Sequence, residues 1–64
     1  MKLTPGGKYL TRTGKVVSID VRLRSGFLLG RYVESGQPYR CLSSGQQYPD
    51  GTPHGADLIE EVQG

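Results

Sequence analysis

The stretch GKVVSIDVRLRSGFLLGRYVE, residues 14–34, decides the fold of this chain because it predicts a long β-hairpin. Its first half, residues 15–24, alternates strictly between apolar and polar side chains, which is typical of a strand with one buried face. The side chains predicted to face the core are Val17, Ile19, Val21 and Leu23. Ser25 and Gly26 then supply a polar–glycine turn that can reverse the chain.

The second half of this hairpin, residues 27–34, alternates less well. If Phe27 and Leu29 point inward, Arg31 does so too. If they point outward, Leu28 and Tyr32 are buried instead. Because both faces are partly apolar, we expect this strand to be covered on both sides, by a curled sheet or by a partner subunit.

Shorter strands are predicted around the hairpin, at residues 9–12, 38–42 and 46–48. Glycines and prolines separate them at short intervals, as in small sandwiches and barrels. This pattern predicts a single mainly β domain over residues 1–64. We expect either a small, strongly bent antiparallel sheet or an SH3-like or OB-like barrel of about five strands.

The segment at residues 56–62 is ambiguous between helix and strand. Asp57 and Glu60 have the spacing of a helix capping box, but the segment is too short to be a stable helix by itself. We predict a short helical turn that leads into a closing strand.

Two short motifs bracket the predicted domain. Residues 7–17 read GKYLTRTGKVV, with an aromatic-x-T-R-x-G pattern, and residues 56–62 read ADLIEEV, with a D-L-x-E pattern. In these motifs the chain resembles short, largely uncharacterised β-rich proteins encoded by bacteriophages. The resemblance covers nearly the whole chain and carries over no catalytic residue. It implies an accessory phage protein, a class that includes inhibitors of bacterial immunity.

Size and composition restrict the function classes. A chain of 64 residues buries only a small core, so we expect a homo-oligomer. With Cys41 as its single cysteine and His54 as its single histidine, one chain can form neither an internal disulfide nor a four-ligand zinc site. The lone cysteine and the lack of an apolar run of about 20 residues favour a cytoplasmic protein, here in an infected bacterial host. No cofactor and no metal are predicted.

Charge is divided unevenly along the chain. All eight Lys and Arg residues lie within residues 1–41, whereas four of the six acidic residues lie within residues 42–64. A basic body with an acidic tail can attract anions, or the tail can fold against the body and neutralise it. Both interpretations stay open at this point.

An enzyme is the less favoured class. Cys41 and His54 could in principle form a nucleophile–base pair. Cys41, however, lies in a predicted strand, where a free cysteine is most often a small buried hydrophobe, and His54 lies in a loop between proline and glycine. The chain shows no nucleophile elbow, phosphate loop or carboxylate pair, so no catalytic residue is assigned.

Arginine and tyrosine side chains form the candidate ligand-binding site. Arginine grips phosphate in two-point fashion and tyrosine stacks on nucleobases. The candidate residues are Arg12, Arg22, Arg24, Arg31, Tyr32, Tyr39, Arg40 and Tyr48. The alternative is that the tyrosines belong to the core, while the arginines form ion pairs or coat a solvated surface.

Three functions are compatible with these residues. The preferred hypothesis is a protein that inhibits bacterial immunity by sequestering a nucleotide-type signalling ligand in an Arg/Tyr pocket at a subunit interface. The second is an inhibitor or adaptor that docks on a host enzyme through an edge strand or an apolar patch, or through the acidic side chains Asp57, Glu60 and Glu61 as mimics of nucleic-acid phosphate. The third is nucleic-acid binding through Arg22 and Arg24, which a net charge of only +2 makes the weakest.

Overall fold

The computed structural model describes residues 3–62 and shows an all-β chain over that range. Its strands are β1 (Lys8–Thr11), β2 (Val16–Arg22), β3 (Leu28–Tyr32), β4 (Pro38–Cys41) and β5 (Leu58–Val62). The predicted mainly β class with about five strands is confirmed. The hairpin of residues 14–34 supplies β2 and β3, and β2 is the central strand.

The strands form one antiparallel sheet in the order β4-β3-β2-β1-β5. Strands β1 to β4 follow one another as a meander, and β5 returns to pair with β1. The edge strands β4 and β5 do not pair with each other, so the sheet is not closed into a barrel. Of the two predicted architectures, the open antiparallel sheet is therefore the one found.

The loop between β4 and β5 lies between the two edges of the sheet. Its start is held at β4, where the amide of Leu42 donates to the carbonyl of Gln46 at 2.9 Å. It also reaches β5, where the amide of Leu58 donates to the carbonyl of Gly45 at 2.9 Å. Backbone bonds to a loop thus replace strand pairing at this position.

The alternation of buried and exposed side chains along strand β2 ends halfway along the strand. Val17 and Ile19 are fully buried, as predicted, but Val21 and Leu23 are exposed, at 44% and 39%. The register of β2 against β3 shifts between Ile19 and Val21, as at a β-bulge, where an extra residue displaces the alternation. The predicted core face of residues 15–24 is correct for its first half and wrong for its second.

The core lies on one side of the sheet. It consists of Leu3, Tyr9, Val17, Ile19, Leu28, Tyr39, Cys41 and Leu58, with Tyr32 and Ala56 packed against it. The other side, here called the open face, carries Val21, Leu29, Arg31 and Arg40. On the open face Val21 is 44% exposed and the Arg31 side chain is 64% exposed. The described residues therefore do not bury both faces of β3 as predicted. Burial of its open face by a partner subunit stays a prediction.

Two predicted local elements are wrong. Residues 46–48 form no strand, because the segment is held by side chains: the amide of Gln47 donates to the carboxylate of Asp57 at 2.8 Å. Residues 54–57 form a tight turn rather than a helical turn, closed by the amide of Asp57 on the carbonyl of His54 at 3.0 Å. The closing strand that follows is confirmed as β5.

The polar–glycine turn at Ser25-Gly26 forms as predicted, and Thr13-Gly14 forms a second turn of the same kind. Gly14 and Gly26 have φ values of +88° and +99°, which glycine adopts without the clash that a Cβ would cause. Each glycine amide closes its turn, on the carbonyl of Thr11 at 2.9 Å and of Leu23 at 3.0 Å respectively.

Candidate binding site

The predicted tyrosines do not converge on one site. Tyr39 is a core residue: its hydroxyl donates to the carbonyl of Ala56 at 2.5 Å and accepts from the side-chain amide of Gln47 at 3.2 Å. Burial, with Cys41 beside it, raises the pKa of Tyr39, so the phenol stays neutral. Tyr48 lies in the β4–β5 loop, where its ring meets that of His54 edge-on at 5.4 Å.

Two of the predicted arginines contact the fold itself. Nη2 of Arg12 lies 3.5 Å from Oδ2 of Asp57, whose side chain is only 2% exposed. Nη2 of Arg22 donates to the carbonyl oxygen of Leu3 at 2.8 Å. The register shift in β2 places Arg22 opposite the buried Leu28, which explains why its guanidinium reaches the segment before β1. Both arginines therefore have structural contacts.

Asp57 is a buried anion, and its structural role differs from the helix cap that its spacing to Glu60 predicts. Its carboxylate accepts the amides of Gln47 at 2.8 Å and His54 at 2.9 Å, besides its contact with Arg12. Burial acts to raise the pKa of Asp57, but the two amide bonds and Arg12 together lower it below its ordinary value. A carboxylate enclosed in this way cannot mimic nucleic-acid phosphate for a partner, which corrects that part of the docking hypothesis. Glu60 and Glu61 remain exposed.

Arg31 and Arg40 lie diagonally on the open face, since Leu29 pairs with Arg40 and Arg31 with Pro38. Nε of Arg31 donates to Oδ2 of Asp20 at 3.4 Å. The guanidinium of Arg40 lies 5.3 Å from the centre of the Phe27 ring.

Arg24 differs from the other arginines. It is exposed in the β2–β3 turn, and it makes no hydrogen bond or ion pair with the part of the chain that the structure describes.

A cavity of about 580 Å³ lies where β2 begins and β3 ends. We call it the β3-end cavity. Its lining residues are Lys15, Val16, Tyr32, Glu34, Ser35 and Gln37. The volume is in the range of small-molecule sites, although this cavity is open to solvent on one side. Of the eight predicted site residues, it contains Tyr32.

Local hydrogen bonds build this cavity. The amide of Val33 donates to the carbonyl of Val16 at 3.0 Å and so holds the end of β3 against the start of β2. The amide of Tyr32 donates to the carbonyl of Gln37 at 2.9 Å, and that of Gly36 to the carbonyl of Tyr32 at 2.8 Å. The β3–β4 turn therefore forms one rigid wall of the cavity.

The side chains of the cavity offer several kinds of contact to one ligand. Lys15 and Glu34 carry opposite charges, and neither forms an ion pair within residues 3–62. The ring of Tyr32 is half-buried and fixed edge-on against Tyr39, with ring centres 5.4 Å apart at 86°. A cation, an anion and an aromatic ring thus meet with the polar side chains of Ser35 and Gln37.

Sequence reasoning missed most of this cavity. Lys15, Glu34, Ser35 and Gln37 flank turns and belong to no recognisable motif. A signal was present in the doubtful alternation of residues 27–34, which indicated an unusual environment around Arg31 and Tyr32. The structure separates these two neighbours, with Tyr32 at the cavity and Arg31 on the open face.

The cysteine and the histidine considered for catalysis have separate environments. Cys41 is 2% exposed in the core, and burial raises the pKa of its thiol. His54 is exposed, and its Nδ1 accepts the amide of Ala56 at 2.9 Å. Within residues 3–62, no group of three or more His, Cys, Asp or Glu side chains is placed to hold a metal ion.

Comparisons of the chain with protein-family models, with curated proteins and with solved structures found no match. Among the described residues, no helix has the length and apolarity needed to cross a membrane.

Proposed function

We propose that this chain is a non-enzymatic binding protein that sequesters a nucleotide-type ligand in the β3-end cavity. One observation carries the proposal: Lys15, Glu34 and the ring of Tyr32 line the same cavity, and the two charged groups are not paired with each other. Unpaired opposite charges beside an aromatic ring suit a ligand that has a phosphate, hydroxyl groups and a flat base.

Each side chain has a role in this proposal. The ammonium of Lys15 binds phosphate as a point charge. The ring of Tyr32 supports the base by stacking. The carboxylate of Glu34 accepts hydrogen bonds from sugar hydroxyls, and Ser35 and Gln37 supply hydrogen bonds to the base edge.

The setting of this proposal comes from the resemblance to bacteriophage proteins. A phage accessory protein in the host cytoplasm can inhibit bacterial immunity by removing a nucleotide signal. The cavity is open on one side, and a second copy of the chain would give it the further wall that one small sheet does not provide.

Calorimetry with ATP, ADP-ribose and cyclic dinucleotides tests this proposal. We expect Lys15→Ala to weaken binding by about tenfold or more, because it removes a charged partner of the phosphate. Tyr32→Leu should weaken binding about as much through lost stacking, whereas Tyr32→Phe, which keeps the ring, should not. Lys8→Ala is the matched control, because Lys8 is an exposed lysine of β1 outside the cavity. If no nucleotide of this panel gives heat, or if Lys8→Ala is as damaging as Lys15→Ala, the proposal is wrong.

A second candidate function is docking on a host protein through the open face. Val21 is 44% exposed there, beside the partly buried Leu29 and the Arg40 side chain that stacks on Phe27. Aromatic and arginine side chains around apolar ones are typical of protein interfaces. Arg40→Glu should abolish capture of a stoichiometric host partner, while Arg24→Glu should not. A purification without any such partner would count against this candidate.

Nucleic-acid binding through Arg22 and Arg24 is the weakest of the three functions. Arg22 is engaged with the carbonyl of Leu3, which leaves Arg24 as the free basic side chain of the pair. A gel-shift assay at low salt should show no retardation, whereas retardation that declines steeply with salt would favour this function instead.

A further inference from the structure

Two stretches of the chain have no neighbouring strand on one side. Strand β5 is an edge of the sheet, and past Leu58 no described backbone group bonds to the outer side of residues 59–62. The end of β2 is similar on its β1 side, because β1 begins opposite Ser18 and reaches neither the last strand residues, 21 and 22, nor residues 23 and 24, which follow the strand into the turn. Backbone donors and acceptors left in this way can pair with a strand of another chain.

The other edge of the sheet, β4, is protected. The side-chain amide of Gln47 donates to the carbonyl of Arg40 at 2.8 Å, and the carbonyl of Gln46 accepts the amide of Leu42 just after the strand. This contrast makes residues 59–62 the accessible edge of the described sheet.

The two unpaired stretches have opposite charge. Residues 59–62 read IEEV, here called the acidic edge, and their two glutamates are exposed without a partner in the described chain. Residues 21–24 read VRLR, here called the basic edge, and Arg24 is likewise exposed. Three of the exposed large apolar side chains belong to these edges: Val21, Leu23 and Ile59.

We propose that the chain assembles head to tail, with the acidic edge of one copy pairing with the basic edge of the next. Pairing of two acidic edges would bring glutamates together, and pairing of two basic edges would bring arginines together, so like charges oppose both symmetric arrangements. Pairing of unlike edges joins opposite charges, satisfies backbone groups and covers the exposed apolar side chains. A heterologous contact of this kind closes into a ring or continues as a filament. The inference rests on the edges alone and does not depend on a ligand in the β3-end cavity.

Sedimentation velocity on the full chain tests this assembly with charge-reversal variants. Glu60→Lys/Glu61→Lys changes the acidic edge, and Arg24→Glu changes the basic edge without touching Arg22, which holds Leu3. We expect the wild type to self-associate, more weakly at high salt. Each variant should weaken association about tenfold or more, and an equimolar mixture should associate more tightly than either variant alone, since it restores unlike pairs. Asp50→Lys is the matched reversal at an exposed loop residue outside both edges and outside the β3-end cavity, and circular dichroism checks that every variant is folded.

Three results would overturn the assembly. The first is a wild-type chain that stays monomeric at about 1 mM. The second is self-association that neither edge variant changes, and the third is a mixture that associates no better than its components. Weakening by each of the two edge variants, in contrast, separates a head-to-tail contact from a symmetric one, because a symmetric contact would involve only one of the two edges.

Discussion

Arg12 and Asp57 form an unequal ion pair. Nη2 of Arg12 lies 3.5 Å from Oδ2 of Asp57, but the Arg12 side chain is 51% exposed whereas that of Asp57 is 2% exposed. The guanidinium can exchange this contact for water, but the carboxylate cannot. The carboxylate is instead held by the backbone amides of Gln47 and His54. Asp57 thus connects the β4–β5 loop to the sheet at the point where β5 begins.

Asp57→Asn should lower the free energy of unfolding by about 2–3 kcal/mol, because two amide bonds to a charged acceptor are weakened in a buried site. Arg12→Ala should lower the free energy of unfolding by less than about 1 kcal/mol, because the Arg12 side chain is half exposed to solvent and its ion pair with Asp57 is therefore weak. Urea unfolding of the two variants measures both values. Equal losses would mean that the ion pair, and not the amide bonds, holds Asp57.

The same carboxylate should make the protein sensitive to acid. Burial acts to raise the pKa of Asp57, but the amides of His54 and Gln47 with Arg12 lower it below 3.8, so the folded state takes up this proton less readily than the unfolded state. The stabilisation is then fully present above about pH 4 and is lost as pH falls through 3.8 toward the folded pKa. Urea midpoints from pH 6 down to pH 2 should fall more steeply for wild type than for Asp57→Asn. Parallel profiles would exclude Asp57 as the source.

The β class and the positions of most strands follow from local patterns, but the side of the sheet to which each β2 side chain points does not. Alternation correctly places Val17 and Ile19 in the core. It misplaces Val21 because the register shift before that residue depends on how β2 pairs with β3, and pairing is not written in one strand alone. For the same reason Arg22 faces the core side and reaches Leu3.

The candidate site is less predictable from sequence than the fold. Tyr32 could be selected as an aromatic residue in a strand with doubtful facing, but the cavity around it is assembled from turn residues that are far apart in sequence, such as Lys15 and Gln37. The sequence around Asp57 predicts only a local helix cap. Its partner Gln47 lies ten residues earlier, and a hydrogen bond across a loop leaves no periodic trace.

Gly30→Ala should be among the most destabilising single changes in the sheet. A Cβ on Gly30 would collide with the backbone carbonyl oxygen of Ser18 and lie 3.0 Å from Cα of Ile19, so β2 and β3 could not keep their pairing. We expect a loss of about 3 kcal/mol or more by chemical denaturation. Gly36→Ala is the control: its site is open and its φ is +74°, so the cost should be about 1 kcal/mol from backbone conformation alone. A Gly30→Ala variant as stable as Gly36→Ala would argue against the β2–β3 register in which Gly30 pairs with Ile19.

Tyr39→Phe should destabilise the fold by about 1–2 kcal/mol, because the buried carbonyl of Ala56 and the amide of Gln47 both lose a partner. Tyr32→Phe is the matched control, since the Tyr32 hydroxyl forms no hydrogen bond in the described chain, and it should change stability by less than about 0.5 kcal/mol. Burial, with Cys41 beside it, also raises the pKa of Tyr39. In the folded state, an absorbance titration of wild type should therefore show the same number of titrating tyrosines as Tyr39→Phe, although wild type has one tyrosine more. Ionisation of Tyr39 before unfolding would contradict its burial.

Cys41 should report on the opening of the sheet. The thiol is 2% exposed, and burial raises its pKa above the ordinary value of 9.0, so little reactive thiolate reaches solvent in the folded state. Reaction with a thiol reagent should then proceed through the unfolded state, at a rate set by its population. A variant that loses about 2 kcal/mol, such as Asp57→Asn, should react about 30-fold faster than wild type. Equal rates in both proteins would show that β4 opens locally, at the edge held by Gln47, without unfolding of the whole sheet.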